Sequence, residues 1–391
     1  MAHGDEMAHD GRPLSEVIAA LGAIAPLPLA ESWDKVGLLV AGDGRAVSKA
    51  LLAIDVTSDV LDEAKALGAQ LIVGYHPLLF KPLERLDGGS WQCRVAIDAV
   101  RAGIAIYSPH TALDAVDGGV NDWLLESVAA AAGGSAHGVA ALVAAAAQGA
   151  THKIVVFVPE DSADRVREAL SAAGAGVIGA YSHCSFTLVG EGTFLGGEGS
   201  APAVGARGRL ERVREVRLEM PLPRRALSAA IAALHAAHPY EEPAFDVVPL
   251  EPVPTRTGPR TGAGRVGTLS RLSTARALAP RLAEILGCGP LSASREVARG
   301  GVAATHGRVA VCAGSGASLL DAAARAGATL FVTGELSHHD VLRAHALGLE
   351  VLLAGHTNTE RGYLPRLAAA LAERAPGLEC VVSVADCDPL G

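Results

Sequence analysis

The segment Ala50 to Pro77 reads ALLAIDVTSDVLDEAKALGAQLIVGYHP. Leu51-Leu52-Ala53-Ile54 is a short unbroken apolar run, the pattern of a strand covered on both faces. Asp55-Val-Thr57-Ser58 interrupts it, and the sequence beyond predicts a helix through Leu67. Leu71-Ile72-Val73 repeats the strand pattern and ends at Gly74-Tyr75-His76-Pro77. Strand, helix and strand at this spacing make a βαβ unit, and such units build largely parallel sheets. The class is therefore α/β.

The same rhythm extends in both directions. Ile104-Ala105-Ile106-Tyr107 predicts a third strand, and Val309-Ala-Val311, Thr329-Leu-Phe331-Val332 and Glu350-Val-Leu-Leu353 predict three more, each followed by a loop and a helical pattern. The stretch between differs in character. Strands are expected at Ile154–Val158, Glu215–Glu219 and Ala244–Val248, with Gly-rich hairpin-like strands between Gly179 and Gly208. Helices are expected at Ala163–Ala173 and near Arg225–His235. This β-α-β-β-α-β order is ferredoxin-like, and Pro249 to Gly264 reads as a linker. The expected architecture is a discontinuous parallel-sheet α/β domain (12–149 and 265–391) around an inserted ferredoxin-like α+β module (150–252).

Composition narrows the function classes. A length of 391 residues suits two or three domains, and 50% hydrophobic residues exclude wholesale disorder. The net charge of −9 argues against a general nucleic-acid or anionic-membrane surface. The basic stretch Arg207–Arg217 is interleaved with Glu211 and Glu215, as in a solvated face. None of the six cysteines forms a C-x-x-C pair, so neither a zinc ribbon nor a redox dithiol is indicated. Scattered thiols fit a reducing compartment. The longest apolar run, Val128 to Ala150, is too rich in Ala and Gly to span a bilayer. A soluble cytoplasmic protein is expected.

In open α/β sheets the ligand crevice lies beyond the carboxyl ends of the strands. Four predicted strand ends carry polar residues to that edge: His76, behind Tyr75; His110, with Asp114 close after it; Glu335, followed by His338, His339 and Asp340; and His356 with Glu360. Spaced by four, His356 and Glu360 fall on one face of a first helical turn, and imidazole with carboxylate suits Zn²⁺, Mn²⁺ or Fe²⁺. Taken singly, each has a plainer reading. His356 and Glu360 make an ordinary surface pair as readily, Asp114 a helix cap, and His338 or His339 a solvated side chain. In the insert, His183, Cys184 and His238 read as packing or turn residues. Gly314-Ser-Gly316-Ala-Ser318 reads as a turn rather than an anion cradle, and no Walker-type phosphate loop occurs.

Together these segments resemble a known family. Glu31-Ser-Trp33-Asp34-Lys35-Val-Gly37-Leu, Tyr75-His76-Pro77, His110-Thr-Ala-Leu-Asp114, Gly119-Val-Asn121-Asp122-Trp123, Gly334-Glu335-Leu-Ser-His-His339-Asp340 and Gly355-His356-Thr-Asn-Thr359-Glu360 are similar, in order, to the motifs of the NIF-three-like family. Many bacterial members are named GTP cyclohydrolase I type 2 homologues. The insert resembles the PII/CutA-like module of longer members, through Tyr181-Ser-His-Cys184, Gly192-Thr-Phe194 and His238-Pro239-Tyr240-Glu241-Glu242-Pro243. The resemblance implies a toroidal homohexamer with a dinuclear site of two divalent ions (Zn, Mn or Fe). His76 and Asp114 would hold one ion, His356 the other, and Glu360 would bridge them, with Tyr75 and His110 as further candidates. Tyr75 stands where the family commonly has histidine, and Lys35 where it usually has asparagine. The implied activity is a metal-dependent hydrolase opening a purine nucleotide ring, with Glu335 or His339 moving protons. The alternative is a non-enzymatic metal-binding regulatory or scaffold hexamer.

Overall fold

The computed structural model of the protein describes residues 11–145, 151–178, 181–251, 261–296 and 305–390. Leu51 to Ala53 and Leu71 to Val73, apolar throughout, are fully buried and pair in parallel inside a five-stranded sheet. Its order is Gly37–Ala41, Ala105–Ser108, Leu71–Gly74, Lys49–Ala53 and Glu379–Val382, with only the first strand antiparallel to its neighbour. The chain divides into two compact units, Met1–Ala145 with Thr257–Gly391, and Ala146–Arg256.

The α/β unit holds a second sheet as well. Its six strands run in the order Ser292–Ala293, Glu350–Leu353, Leu330–Glu335, His306–Ser315, Arg265–Ser273 and Ala136–Ala140, and only the two central pairings are parallel. Parallel order therefore holds in the middle of each sheet, with antiparallel pairings at one end of the first sheet and at both ends of the second. Each sheet also borrows a strand across the insertion: Glu379–Val382 lies beside Lys49–Ala53, and Ala136–Ala140 beside Arg265–Ser273.

Alternation along the strands distributes their side chains. Leu52 and Val73 from one sheet, and Val311, Val332 and Leu352 from the other, share one continuous core. Helices Leu14–Ile24, Val120–Ala131, Ala275–Leu286 and Leu364–Arg374 contribute to the same core. Leu51 and Ile72 point the other way, onto helices Ser58–Leu67 and Trp91–Ala102. Ala310 and Phe331 do likewise, onto helices Leu320–Arg325 and His338–Ala346. The Thr57 hydroxyl accepts from the Val60 N–H at the start of its helix, as the sequence break at Asp55–Ser58 predicts. Asp340, with Ser337, forms a capping box and so serves helix initiation.

Arg265 ties the two sequence halves of this unit together. It is wholly buried and pairs with Asp122 at 2.9 Å, while donating to the carbonyls of Ala115, Val116, Gly262 and Gly264.

The insert is a four-stranded antiparallel sheet ordered Phe245–Pro249, His152–Pro159, Leu210–Leu222, Phe186–Leu195. Counted in its own chain order this is 4-1-3-2, the ferredoxin-like arrangement, and helices Ala163–Ala172 and Leu227–Ala237 complete its core. Between 181 and 208 there is one strand rather than several, because the predicted strand at 215–219 is part of the longer Leu210–Leu222, its hairpin partner. Positions 179 and 180, where the predicted hairpins begin, and 252–260 of the predicted linker lie outside the described residues. His238 is buried, its ring bonded to the Phe157 carbonyl and the Tyr240 N–H, which is a packing role. Arg212 and Arg214 pair with Glu191 and Glu160. Among the described residues no helix is long and apolar enough to cross a membrane.

Candidate metal centre

Five strand ends of the α/β unit bring side chains to one place. Lys49–Ala53 leads to Asp55, Leu71–Gly74 to His76, Ala105–Ser108 to His110, Leu330–Glu335 to Glu335, and Glu350–Leu353 to His356 and Glu360. His76 Nε2 stands 3.5 Å from Glu360 Oε2, and His356 Nε2 stands 3.5 Å from Glu360 Oε1. The donor atoms of the three residues all lie within 4.8 Å of one another. Both separations exceed ordinary hydrogen-bond length. Two imidazoles thus face opposite oxygens of one buried carboxylate without bonding to it.

Each imidazole is held from behind by an acid. His76 Nδ1 meets Asp55 at 3.0 Å, His356 Nδ1 meets Glu335 at 3.0 Å, and the neighbouring His110 Nδ1 meets Asp34 at 2.8 Å. A carboxylate on Nδ1 fixes the ring and leaves Nε2 as the inward donor, the usual outer support of a metal-binding histidine. His110 also has φ +31, a strained value for a residue other than glycine. The Asp34 contact and the short helix His110–Ala115 hold it there.

Several features fit a cation. Glu360 Oε2 is buried and has no hydrogen-bond partner among the described residues, a costly state that a positive ion would relieve. Burial opposes charge on His76, yet the Asp55 and Glu360 carboxylates override it and raise its pKa from 6.5 to about 10. The same negative field attracts a metal cation, which on binding His76 displaces the Nε2 proton. Gly314 keeps the approach open: a Cβ there would lie 2.8 Å from Glu360 Oε1 and 3.0 Å from His356 Nε2, and its φ of +63 also suits glycine. The nitrogen and oxygen donor set suits Zn²⁺, Mn²⁺ or Fe²⁺.

The other predicted site residues stand differently. Asp114 lines the adjoining cavity, but its carboxylate accepts the Tyr75 hydroxyl and it falls outside the ligating group. Burial lifts the Asp114 carboxyl from 3.8 to about 6, against the Tyr75 hydrogen bond. Burial, then the charges of Asp114 and Glu360, hold the Tyr75 phenol well above its usual range and so protonated. His339 is exposed, with its ring against His338; the structure gives it no contact with the group. His356 and Glu360 span a single 3-10 turn, Thr357–Thr359, instead of the first turn of an α-helix, which begins only at Leu364. The Thr359 hydroxyl shapes that turn by accepting from Gly314 N–H and donating to the His356 carbonyl.

Sequence reasoning missed Asp34, Asp55 and Asn121. Asp55 follows its strand as directly as His76 does, so the strand-end rule could have found it. Asn121 is buried, donating to the Asp114 carbonyl and accepting from Ala313 N–H, a bridge across the insertion that no local pattern reveals.

The chain is similar to known proteins along nearly its whole length. A model of the family described as Duf34/NIF3 (NGG1p interacting factor 3) matches residues 13–389. The chain belongs to this family. Among NIF3 relatives, the Mycobacterium tuberculosis protein named GTP cyclohydrolase 1 type 2 homolog is 37% identical over 326 residues, 83% of this chain and 82% of that one. The Bacillus subtilis protein of the same name is 33% identical over 377 residues, 96% and 97% of the two chains. A crystal structure of a Bacillus cereus protein related to NIF3 superposes with a TM-score of 0.60 at 33% identity, covering 96% of this chain and 97% of that one.

One prediction concerns the outer support. Asp55→Asn and Glu335→Gln are each expected to weaken metal binding roughly 10–100-fold. Competition against a chromophoric chelator reads this directly, and unchanged affinity in both variants would remove the orienting role.

Proposed function

We propose that the protein is a divalent-metal-dependent hydrolase that opens the ring of a purine nucleotide. The observation that carries this reading is the His76–Glu360–His356 group beside a cavity of about 540 Å³ with aromatic walls. Trp33 and Phe80 line that cavity, half-exposed and edge to face at 5.9 Å, and His356 and Glu360 line it too. Exposed rings beside a polar centre suit a planar heteroaromatic ligand. The name of the curated relatives supplies the nucleotide class.

In this reading His76, His356 and Glu360 hold the ion, with Asp55 and Glu335 fixing the two imidazoles. A divalent ion there supplies Lewis acidity and a bound water of lowered pKa. Asp114, a half-buried carboxyl that lines the cavity and is lifted to about 6, would hold or release a proton near neutral pH. Glu335 is committed to His356 and acts as a positioning residue. The homohexamer and the cytoplasmic setting belong to the same proposal, the latter supported by six free cysteines.

The test is metal-loaded protein incubated with GTP and related nucleotides, followed for formate and a ring-opened product. Turnover that requires the metal supports the reading. Stoichiometric metal without turnover on any nucleotide overturns it and leaves the metal-binding scaffold. Trp33→Ala is expected to raise KM for the nucleotide roughly tenfold or more, with metal content unchanged, because it removes one stacking wall. An unchanged KM would take Trp33 out of the substrate site.

A further inference from the structure

The resemblance implies a pair of ions, whereas the donors that converge in this chain make a place for one. Asp114, the carboxylate expected to serve the pair, receives the Tyr75 hydroxyl. Tyr75 is 2% exposed and stands one residue before His76. Its position is fixed from several sides. The Tyr75 N–H donates to the Ala53 carbonyl at 2.8 Å, and the Tyr75 carbonyl accepts the Ser108 hydroxyl at 2.7 Å. The ring lies edge to face with His76 at 5.2 Å and with His110 at 5.6 Å. A phenol so placed cannot leave Asp114 without opening the core between the rings. It also brings a donor where an imidazole would bring a lone pair, and donors repel a cation.

We propose that this chain binds one divalent ion tightly, on His76, His356 and Glu360, and that Tyr75 is the residue that keeps Asp114 from serving a second. The proposal rests on the metal reading above and sharpens it to a stoichiometry set by one side chain. Among the described residues His76, His356 and Glu360 are the group whose donor atoms converge within 4.8 Å, and Asp34, Asp55 and Glu335 are each engaged with an imidazole.

The experiment is equilibrium dialysis of the metal-stripped full chain against Zn²⁺ alone and Mn²⁺ alone, with bound metal counted per chain. Wild type is expected to bind one equivalent. Tyr75→His is expected to bind two, and Tyr75→His with Asp114→Asn to return to one. Tyr75→Phe keeps the packing and removes only the hydroxyl. It is expected to gain a second, weaker equivalent, about tenfold tighter than any second binding by wild type. Circular dichroism confirms that each variant is folded. Two equivalents of similar affinity in wild type would overturn the proposal while leaving the metal reading intact. One equivalent in both folded Tyr75 variants would overturn it as well. No bound metal in wild type would remove the metal reading and this proposal with it.

Discussion

Glu360→Ala is expected to emerge from metal reconstitution with almost no bound ion, its affinity lowered by more than roughly 100-fold. Loss of an outer partner alone costs roughly 10–100-fold, and Glu360 faces both imidazoles. His356→Ala is expected to follow it. The Glu360 variant also separates a ligand from a structural residue. Glu360 is 3% exposed, and one of its oxygens lacks a hydrogen-bond partner among the described residues. In the metal-free protein Glu360 faces the His76 imidazolium at 3.5 Å, so its loss costs stability with or without metal. Added metal is expected to raise the melting temperature of wild type and to leave that of the Glu360 variant unchanged. Thermal unfolding with and without metal checks this. A variant that keeps stoichiometric metal, or one that metal stabilises as much as wild type, contradicts the assignment.

Arg265→Met is the second large effect, on stability. Its guanidinium has no solvent exposure, and its hydrogen bonds reach Asp122 and four carbonyls on both sides of the insertion. Methionine fills part of the volume but leaves the Asp122 carboxylate without its cation and removes the guanidinium's hydrogen bonds to those carbonyls. Breaking a buried ion pair from one side costs about 3–5 kcal/mol. All three tryptophans, Trp33, Trp91 and Trp123, belong to the α/β unit, so their fluorescence in a urea titration follows that unit and not the insert. A lower midpoint with an unchanged slope is expected. A shift below about 1 kcal/mol would show that the clamp contributes little. The carbonyls of Ala115 and Val116 directly follow Asp114, so the same variant is expected to disturb that wall of the cavity.

Much of this was written locally in the chain. The runs at Leu51–Ala53, Leu71–Val73 and Glu350–Leu353 are strands, because a run of apolar residues bounded by turn formers needs no distant information to be recognised. The strand-end rule also pointed to His76, His356 and Glu360, whose donor atoms the fold brings together. What was not legible depends on distance. Glu379–Val382 and Ala136–Ala140 are short and only partly covered, and they become strands through partners far away in sequence. For that reason the α/β unit reads as one sheet in sequence and folds as two. Asp34, the acid behind His110, was missed for the same reason, since it lies 76 residues from that imidazole. The Tyr75–Asp114 bond, across 39 residues, was equally hidden, and it separates the implied site from the observed arrangement.

The measurement that bears most directly on the central claim is anomalous diffraction from crystals of the wild-type protein grown metal-free and soaked in Zn²⁺. The account predicts one strong peak per chain, within roughly 2.0–2.2 Å of His76 Nε2, His356 Nε2 and a Glu360 oxygen. A peak elsewhere on the protein, or none beside these three residues, would contradict it.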